Sequence, residues 1–205
     1  MAGWALALLI AYLALAFGVR VAVALRTTGS TGIASIRSAP PAEALGGGLF
    51  ILGLAMGAAT PPLALADVLE PIASLDTTAA HILGFALAGI GIVGTFAAQM
   101  AMGASWRIGV DPSERTELVT TGVFSLCRNP IYTFMVLAWI GLALLVPTWL
   151  SLASIVVAIA AFEVQTRLVE EPHLIRTHGE PYLGWARRVG RFVPGLGLLP
   201  RSGRK

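Results

Sequence analysis

Residues 129–162 read NPIYTFMVLAWIGLALLVPTWLSLASIVVAIAAF, 34 positions without a charge between Arg128 and Glu163. As one helix this run would be about 51 Å long at about 1.5 Å per residue, too long for a hydrocarbon core of about 30 Å. Its midpoint is Val146-Pro147-Thr148-Trp149, a helix break beside an aromatic of the kind that sits at membrane interfaces. The run therefore predicts two helices in a tight hairpin. Three more uncharged runs lie upstream, at 1–19, 44–66 and 77–106, and each holds one helix. The expectation is an all-α integral membrane protein with five transmembrane helices.

Composition agrees. Of 205 residues 56% are hydrophobic and 12% are charged, about half the roughly 25% of a soluble domain. Such a chain could not cover a water-facing surface. The 14 basic residues against 11 acidic ones do not point to nucleic acid, because they are scattered between apolar runs and gather at the C-terminus. Basic residues placed that way orient a membrane protein. With five helices, Arg20, Arg26 and Arg37, then Arg107, Arg115 and Arg128, then the eight from Arg167 to Lys205 share one side, which accounts for all 14. Asp67, Glu70 and Asp76 mark the other side, which receives no Lys or Arg. The N-terminus is therefore expected outside, and the loop 104–130 and the tail in the cytoplasm, across a bacterial inner membrane. The first run is read as a span and not a signal peptide, since its nearest charge, Arg20, follows the apolar core. Cys127 is the single cysteine, so no internal disulfide framework exists.

Two parts are expected: residues 1–103, with three helices and their loops, and residues 104–205, with a loop, the hairpin and a C-terminal catalytic region. In the third helix Gly84, Ala88, Gly89, Gly91 and Gly94 supply the small residues that let membrane helices approach closely. His81 is expected at that helix's outer end as an interface residue.

Polar residues able to do chemistry gather in two segments on the basic side: 105–132 and 163–194. The hairpin joins them, so Arg128–Tyr132 at its entry faces Glu170-Glu171 at its exit. Glu163, Arg167, Glu170 and Glu171 sit at i, i+4, i+7 and i+8, one stripe in which Arg167 is bracketed by three carboxylates. Two adjacent carboxylates at a helix end can equally bind a cation or ribose hydroxyls. Pro172 is expected to bend or end that helix. Tyr182, Trp185 and Val189, spaced i, i+3 and i+7 with Arg187, Arg188 and Arg191 elsewhere, read as a basic amphipathic helix on the membrane surface, or a lid. Asp111, Glu114 and Glu117 read as a solvated loop face or a helix start. His173 and His178 lack the further ligands a metal site needs, and no metal is expected.

The order Leu-Val-Thr-x-Gly-x-Phe (118–124), Arg-x-Pro-x-Tyr (128–132), a hydrophobic hairpin, Glu170-Glu171, Gly-x-x-Tyr (179–182) and Arg-Phe-x-Pro (191–194) resembles the isoprenylcysteine carboxyl methyltransferases and related phospholipid methyltransferases. The resemblance runs from Trp106 to Pro194. It implies S-adenosylmethionine as cofactor, bound on the cytoplasmic side by Leu118, Val119, Gly122, Arg128, Asn129, Pro130, Tyr132, Glu170 and Glu171. It implies Arg107, Asn129, Tyr182 and Arg191 as catalytic residues, and a lipophilic acceptor arriving from the bilayer, with membrane lipids as surroundings. Two positions depart from the family pattern: Asn129 stands where many members have His, and Phe134 where many have Gly. Asn keeps a donor and an acceptor but cannot act as a base. The bulk of Phe134 is expected to narrow the pocket or the acceptor's entrance.

The cofactor's groups suit these residue types. Glu170 or Glu171 can take an ammonium or hydroxyls, Arg128 a carboxylate, and Tyr132 or Trp106 can face a sulfonium. Two other classes stay open on sequence alone: a membrane reductase using a nicotinamide cofactor, and a non-catalytic lipid-binding membrane protein.

Overall fold

A computed structural model describes residues 1–32, 40–107, 109 and 117–200. The described residues form helices and short turns and hold no β-strand. Arg37, Asp111, Glu114, Arg115, Arg201, Arg204 and Lys205 lie outside them. In chain order the helices are α1 (Ala2–Thr28), α2 (Pro41–Leu65), α3 (Thr78–Ala101), α4 (Pro130–Leu145), α5 (Trp149–His178) and the short α6 (Glu180–Ala186). Four of them, α1, α2, α3 and α5, are long and apolar enough to cross a membrane, and α4 is a shorter apolar helix of 16 residues. The hairpin breaks where the sequence predicts it. Thr148 caps α5, accepting from the Ser151 N–H at 3.1 Å, while its own N–H donates to Ser151 Oγ at 2.9 Å. Trp149 beside it is 77% exposed, as an interfacial aromatic is.

The two helices of the hairpin pack mainly on other partners, α4 along α3 and α5 along α2. The α3–α4 seam is made of small residues. A Cβ on Gly91 would lie 2.2 Å from Ala138 N, and one on Gly141 2.2 Å from Ala88 N, so the two backbones touch. Gly89 takes no part in the seam, contrary to the expectation for it, because no atom lies within 4 Å of where its Cβ would be. Phe134 closes the seam by seating its ring on Gly94, where a Cβ would come within 2.3 Å of it. Its bulk thus fills a notch in the neighbouring helix.

Two helix boundaries differ from the sequence reading. Arg20 does not end the first span: α1 runs on to Thr28 with Arg20 inside it, 1% exposed. Its guanidinium lies 4.4 Å over the Trp106 ring and its Nη2 donates to Gly103 O at 2.6 Å. Those partners sit just past the end of α3, 83 residues away, which is how a charge is accommodated there. Of the two outcomes expected of Pro172, a bend or an end, the end does not occur. The segment Gln165–Glu170 is a π-helix, and the Glu171 N–H donates to Thr166 O, five residues back. This wider turn receives the proline, and the helix continues to His178.

Candidate active site

The site lies at the end of the molecule where α4 begins and α5 ends. Pro130 starts α4 without needing an N–H, and the preceding residues 127–129 lie outside any helix. They clasp a stretch of the C-terminal segment. Cys127 bridges Gly190 in parallel, the Arg128 N–H donates to Gly190 O at 2.8 Å and the Asn129 N–H to Arg191 O at 3.0 Å. Asn129 Nδ2 donates to that same carbonyl at 3.1 Å, and Thr133 Oγ1 to Phe192 O at 2.7 Å. A Cβ on Gly190 would lie 2.0 Å from Val193 O, so only glycine permits the turn beyond it.

Arg128 is the hub. Only 5% exposed, it donates from Nη1 to Ala186 O at 3.0 Å and Val189 O at 2.6 Å. From Nη2 it donates to Gly197 O at 3.1 Å and to Glu171 Oε1 at 2.6 Å. Glu171 is itself gripped by Arg191, Nε to Oε1 at 2.8 Å and Nη2 to Oε2 at 2.9 Å. Both Glu171 oxygens are thus engaged by arginines, one contact being a bidentate fork of the strong, charge-assisted kind. The Glu171 carboxylate pushes the Arg191 guanidinium above its ordinary range.

Glu170, one residue earlier, has different company. Tyr132 Oη donates to its Oε1 at 2.5 Å, and the Tyr132 ring stacks on Phe162 at 4.5 Å. Among the described residues no Arg or Lys pairs with Glu170. The stripe read from sequence is therefore divided: Arg167 pairs with Glu163 on an exposed face, while the two adjacent carboxylates take separate partners.

A second layer is apolar. Phe124, Tyr182, Trp185 and Ala186 are buried together, with Leu118 and Val119 packed at the edge. The expected amphipathic surface helix is accordingly corrected: α6 is only 7 residues long, and its Tyr182 and Trp185 cover Phe124 instead of lipid. The Tyr182 hydroxyl is pushed up to about 12, first by burial and then by the Glu171 carboxylate, against the opposing influence of Arg128. It is neutral at physiological pH.

The structure thus joins Arg128, Asn129, Glu171 and Arg191 in one network with Tyr182 beside it, and Tyr132 with Glu170 in another. Gly122, at φ +59°, turns the chain into Phe124. Arg107 stands apart, donating to Ala104 O and Trp106 O, both at 2.8 Å, near Arg20. Trp106 is 2% exposed between Arg20 and Gly32, which leaves its ring no face for a sulfonium. Thr133 and Gly190 were not singled out by sequence. Their roles depend on a pairing 59 to 63 positions apart that no local spacing announces.

The phospholipid methyltransferase family model matches residues 79–181, half of the chain, including Arg128–Tyr132 and Glu170-Glu171. The chain belongs to that family. This member is also 31% identical over 115 residues, 56% of its length, to the nickel-cobalt-cadmium resistance protein NccN of Alcaligenes xylosoxydans xylosoxydans. The match spans 53% of that curated relative, about half its length. In architecture the chain is similar to the eukaryotic intramembrane Ras methyltransferase ICMT, an isoprenylcysteine carboxyl methyltransferase. The TM-score is 0.53 at 16% identity, over 90% of this chain and 75% of that one. At that identity the likeness is one of fold. Among the described residues no three His, Cys, Asp or Glu side chains converge as a metal site would require.

Proposed function

We propose that this family member transfers a methyl group from S-adenosylmethionine to a lipophilic acceptor that reaches the site from the bilayer. The observation that carries the reading is Glu170: a carboxylate held by Tyr132, without a cationic partner among the described residues, beside two stacked rings. An ammonium or a pair of ribose hydroxyls completes such a group. Two buried donors without acceptors, Trp185 Nε1 and Arg128 Nε, fit a ligand that also brings acceptors. The donor set of the site therefore suits this cofactor.

In this reading Glu170 and Tyr132 bind the cofactor's polar end, and Leu118, Val119 and the Phe124–Trp185 cluster form its apolar wall. When bound, the cofactor supplies an activated methyl electrophile. The protein contributes alignment and a dry site, for which effective molarities are large. Tyr182, neutral and buried, excludes water and does not serve as a base. Asn129 binds the backbone at Arg191 O and orients that segment, so a carboxylate or thiolate acceptor, which needs no deprotonation, suits this chemistry. The basic side carrying the site faces the cytoplasm.

Calorimetric titration of the purified chain with S-adenosylmethionine, S-adenosylhomocysteine and NADPH tests the reading. Binding of the first two and not the third is expected, with loss in Glu170→Gln. Binding of NADPH alone would make the protein a reductase, and binding of none a non-catalytic lipid-binding protein. Transfer of label from S-adenosylmethionine into the organic phase of a membrane lipid extract completes the test.

A further inference from the structure

Glu170 and Glu171 are neighbours of the same residue type, yet the structure gives them opposite situations. Glu171 is 6% exposed and has both oxygens engaged by Arg128 and Arg191. Each of those arginines belongs to the fastening of the C-terminal segment. Arg128 also reaches the carbonyls of Ala186, Val189 and Gly197, which span that segment from end to end. Arg191 lies within it, its own N–H closing the turn on Leu196 O at 2.7 Å. Phe192, next along, packs against the core that contains Phe162, beside Tyr132.

We infer that Glu171 is a positioning residue: it locks Arg128 and Arg191 together so that residues 186–197 are strapped beside the Tyr132–Glu170 pair, which leaves Glu170, hydrogen-bonded by Tyr132 and Gln165 but without a cation among the described residues, as the carboxylate that meets a ligand. The electrostatics require such an arrangement. Two guanidiniums brought this close repel unless one anion lies between them, and Glu171 is that anion. Without it Arg128 would keep its carbonyl contacts and lose one charge-assisted bond, but Arg191 would lose both of its own and with them its grip on α5. The strap would then be held by the 127–129 clasp, the Arg128 carbonyl contacts and the Thr133–Phe192 bond, without the Glu171 tie to the end of α5.

The inference rests on the proposed function only for what the ligand is. The strap itself is read in ligand-free protein, by amide hydrogen exchange on the purified full chain in lipid nanodiscs. In Glu171→Gln the amides of Arg191, Leu196 and Leu199 are expected to exchange at least about tenfold faster, the scale of one lost charge-assisted bond. The amides of α4 and of residues 149–162 should be unchanged. Glu170→Gln should leave the strap's exchange within about twofold of wild type, while lowering S-adenosylmethionine affinity about tenfold or more. Arg191→Lys, which keeps the charge but loses the fork, should reproduce the Glu171→Gln exchange if that variant does not fold.

A positioning role also predicts that Glu171→Gln weakens S-adenosylmethionine binding and that Glu171→Asp, which keeps the anion, recovers most of it. Faster strap exchange with unaltered affinity would reduce Glu171 to a structural residue and overturn the inference. So would wild-type exchange in both Glu171→Gln and Arg191→Lys. If wild-type protein binds no S-adenosylmethionine at all, the functional reading fails, and the ligand-free exchange still decides whether the strap hangs on Glu171.

Discussion

Replacing Gly141 by alanine should pry two membrane helices apart. The new Cβ would stand 2.2 Å from Ala88 N and 2.7 Å from Ala88 Cα and Gly84 O, all backbone atoms that no rotamer change can move. Restoring an ordinary contact of about 3.4 Å requires α3 and α4 to separate locally by about 1.2 Å, a gap that forfeits about half of each dispersion well of about 0.1–0.2 kcal/mol. With on the order of 40 atom pairs across the seam the loss is about 2–4 kcal/mol, at or slightly above the usual cost of overpacking. Alanine's better helix propensity returns up to about 1 kcal/mol. Gly89→Ala gains the same propensity in α3 and meets nothing within 4 Å, so it isolates the steric part. Both variants can be unfolded reversibly in mixed micelles by raising the mole fraction of dodecyl sulfate. Gly141→Ala should be the less stable by about 2 kcal/mol or more. Equal stabilities within about 0.5 kcal/mol would show that the seam is not the close-packed contact described here.

Three further outcomes are expected. Arg20→Met, which removes the buried charge together with its contacts, should cost less in that unfolding assay than Trp106→Leu, which leaves the guanidinium without its ring; the reverse order would refute the cation–π account. Cysteines introduced at the exposed Ser74 and Ser125 in a Cys127→Ser background should be labelled from opposite sides of the membrane, and labelling of both from the cytoplasm would sink the topology. Burial pushes the Cys127 thiol up, outweighing hydrogen bonds from its neighbours. The neutral thiol is favoured in the fold, so its alkylation rate should rise at higher pH in native than in denatured protein, and identical pH profiles would contradict that burial.

The spans were legible because charge is nearly forbidden inside a bilayer, so the uncharged runs and the Pro147–Trp149 break mark helices directly. Arg20 was misplaced by the same rule. Its compensation comes from Gly103 and Trp106, and nothing near position 20 reveals a carbonyl and a ring from another helix's end. The 182–185 spacing correctly announced one apolar face. It could not say that Phe124, rather than lipid, lies against that face, because burial against protein and burial against membrane leave the same pattern. At the site the residue types were readable and their pairing was not. Arg128 and Glu171 are each legible as residues of a cofactor site, but no local spacing announces that they also bond to each other across 43 positions.

That pairing turns on the π segment Gln165–Glu170. The sequence Glu-Glu-Pro is an awkward one for a helix, since Pro172 has no N–H and its ring crowds the carbonyl of Leu168. A regular α-turn here would kink or end α5 and carry its last two turns, with Glu171, away from Arg128 and Arg191. The wider turn instead absorbs the proline and lets the helix run to His178, so that Glu170 meets Tyr132 on α4 and Glu171 meets the strap. π-turns persist mostly where function requires them, and here the requirement is visible: two adjacent carboxylates must serve two different partners. Pro172→Ala frees the chain to form the ordinary α-turn and offers the Leu168 carbonyl an N–H. If the proline holds the π register, that variant should show faster exchange in the strap although it touches neither arginine. A strap as protected as in wild type would mean that the register is fixed by the glutamates' own partners and that the proline is merely tolerated.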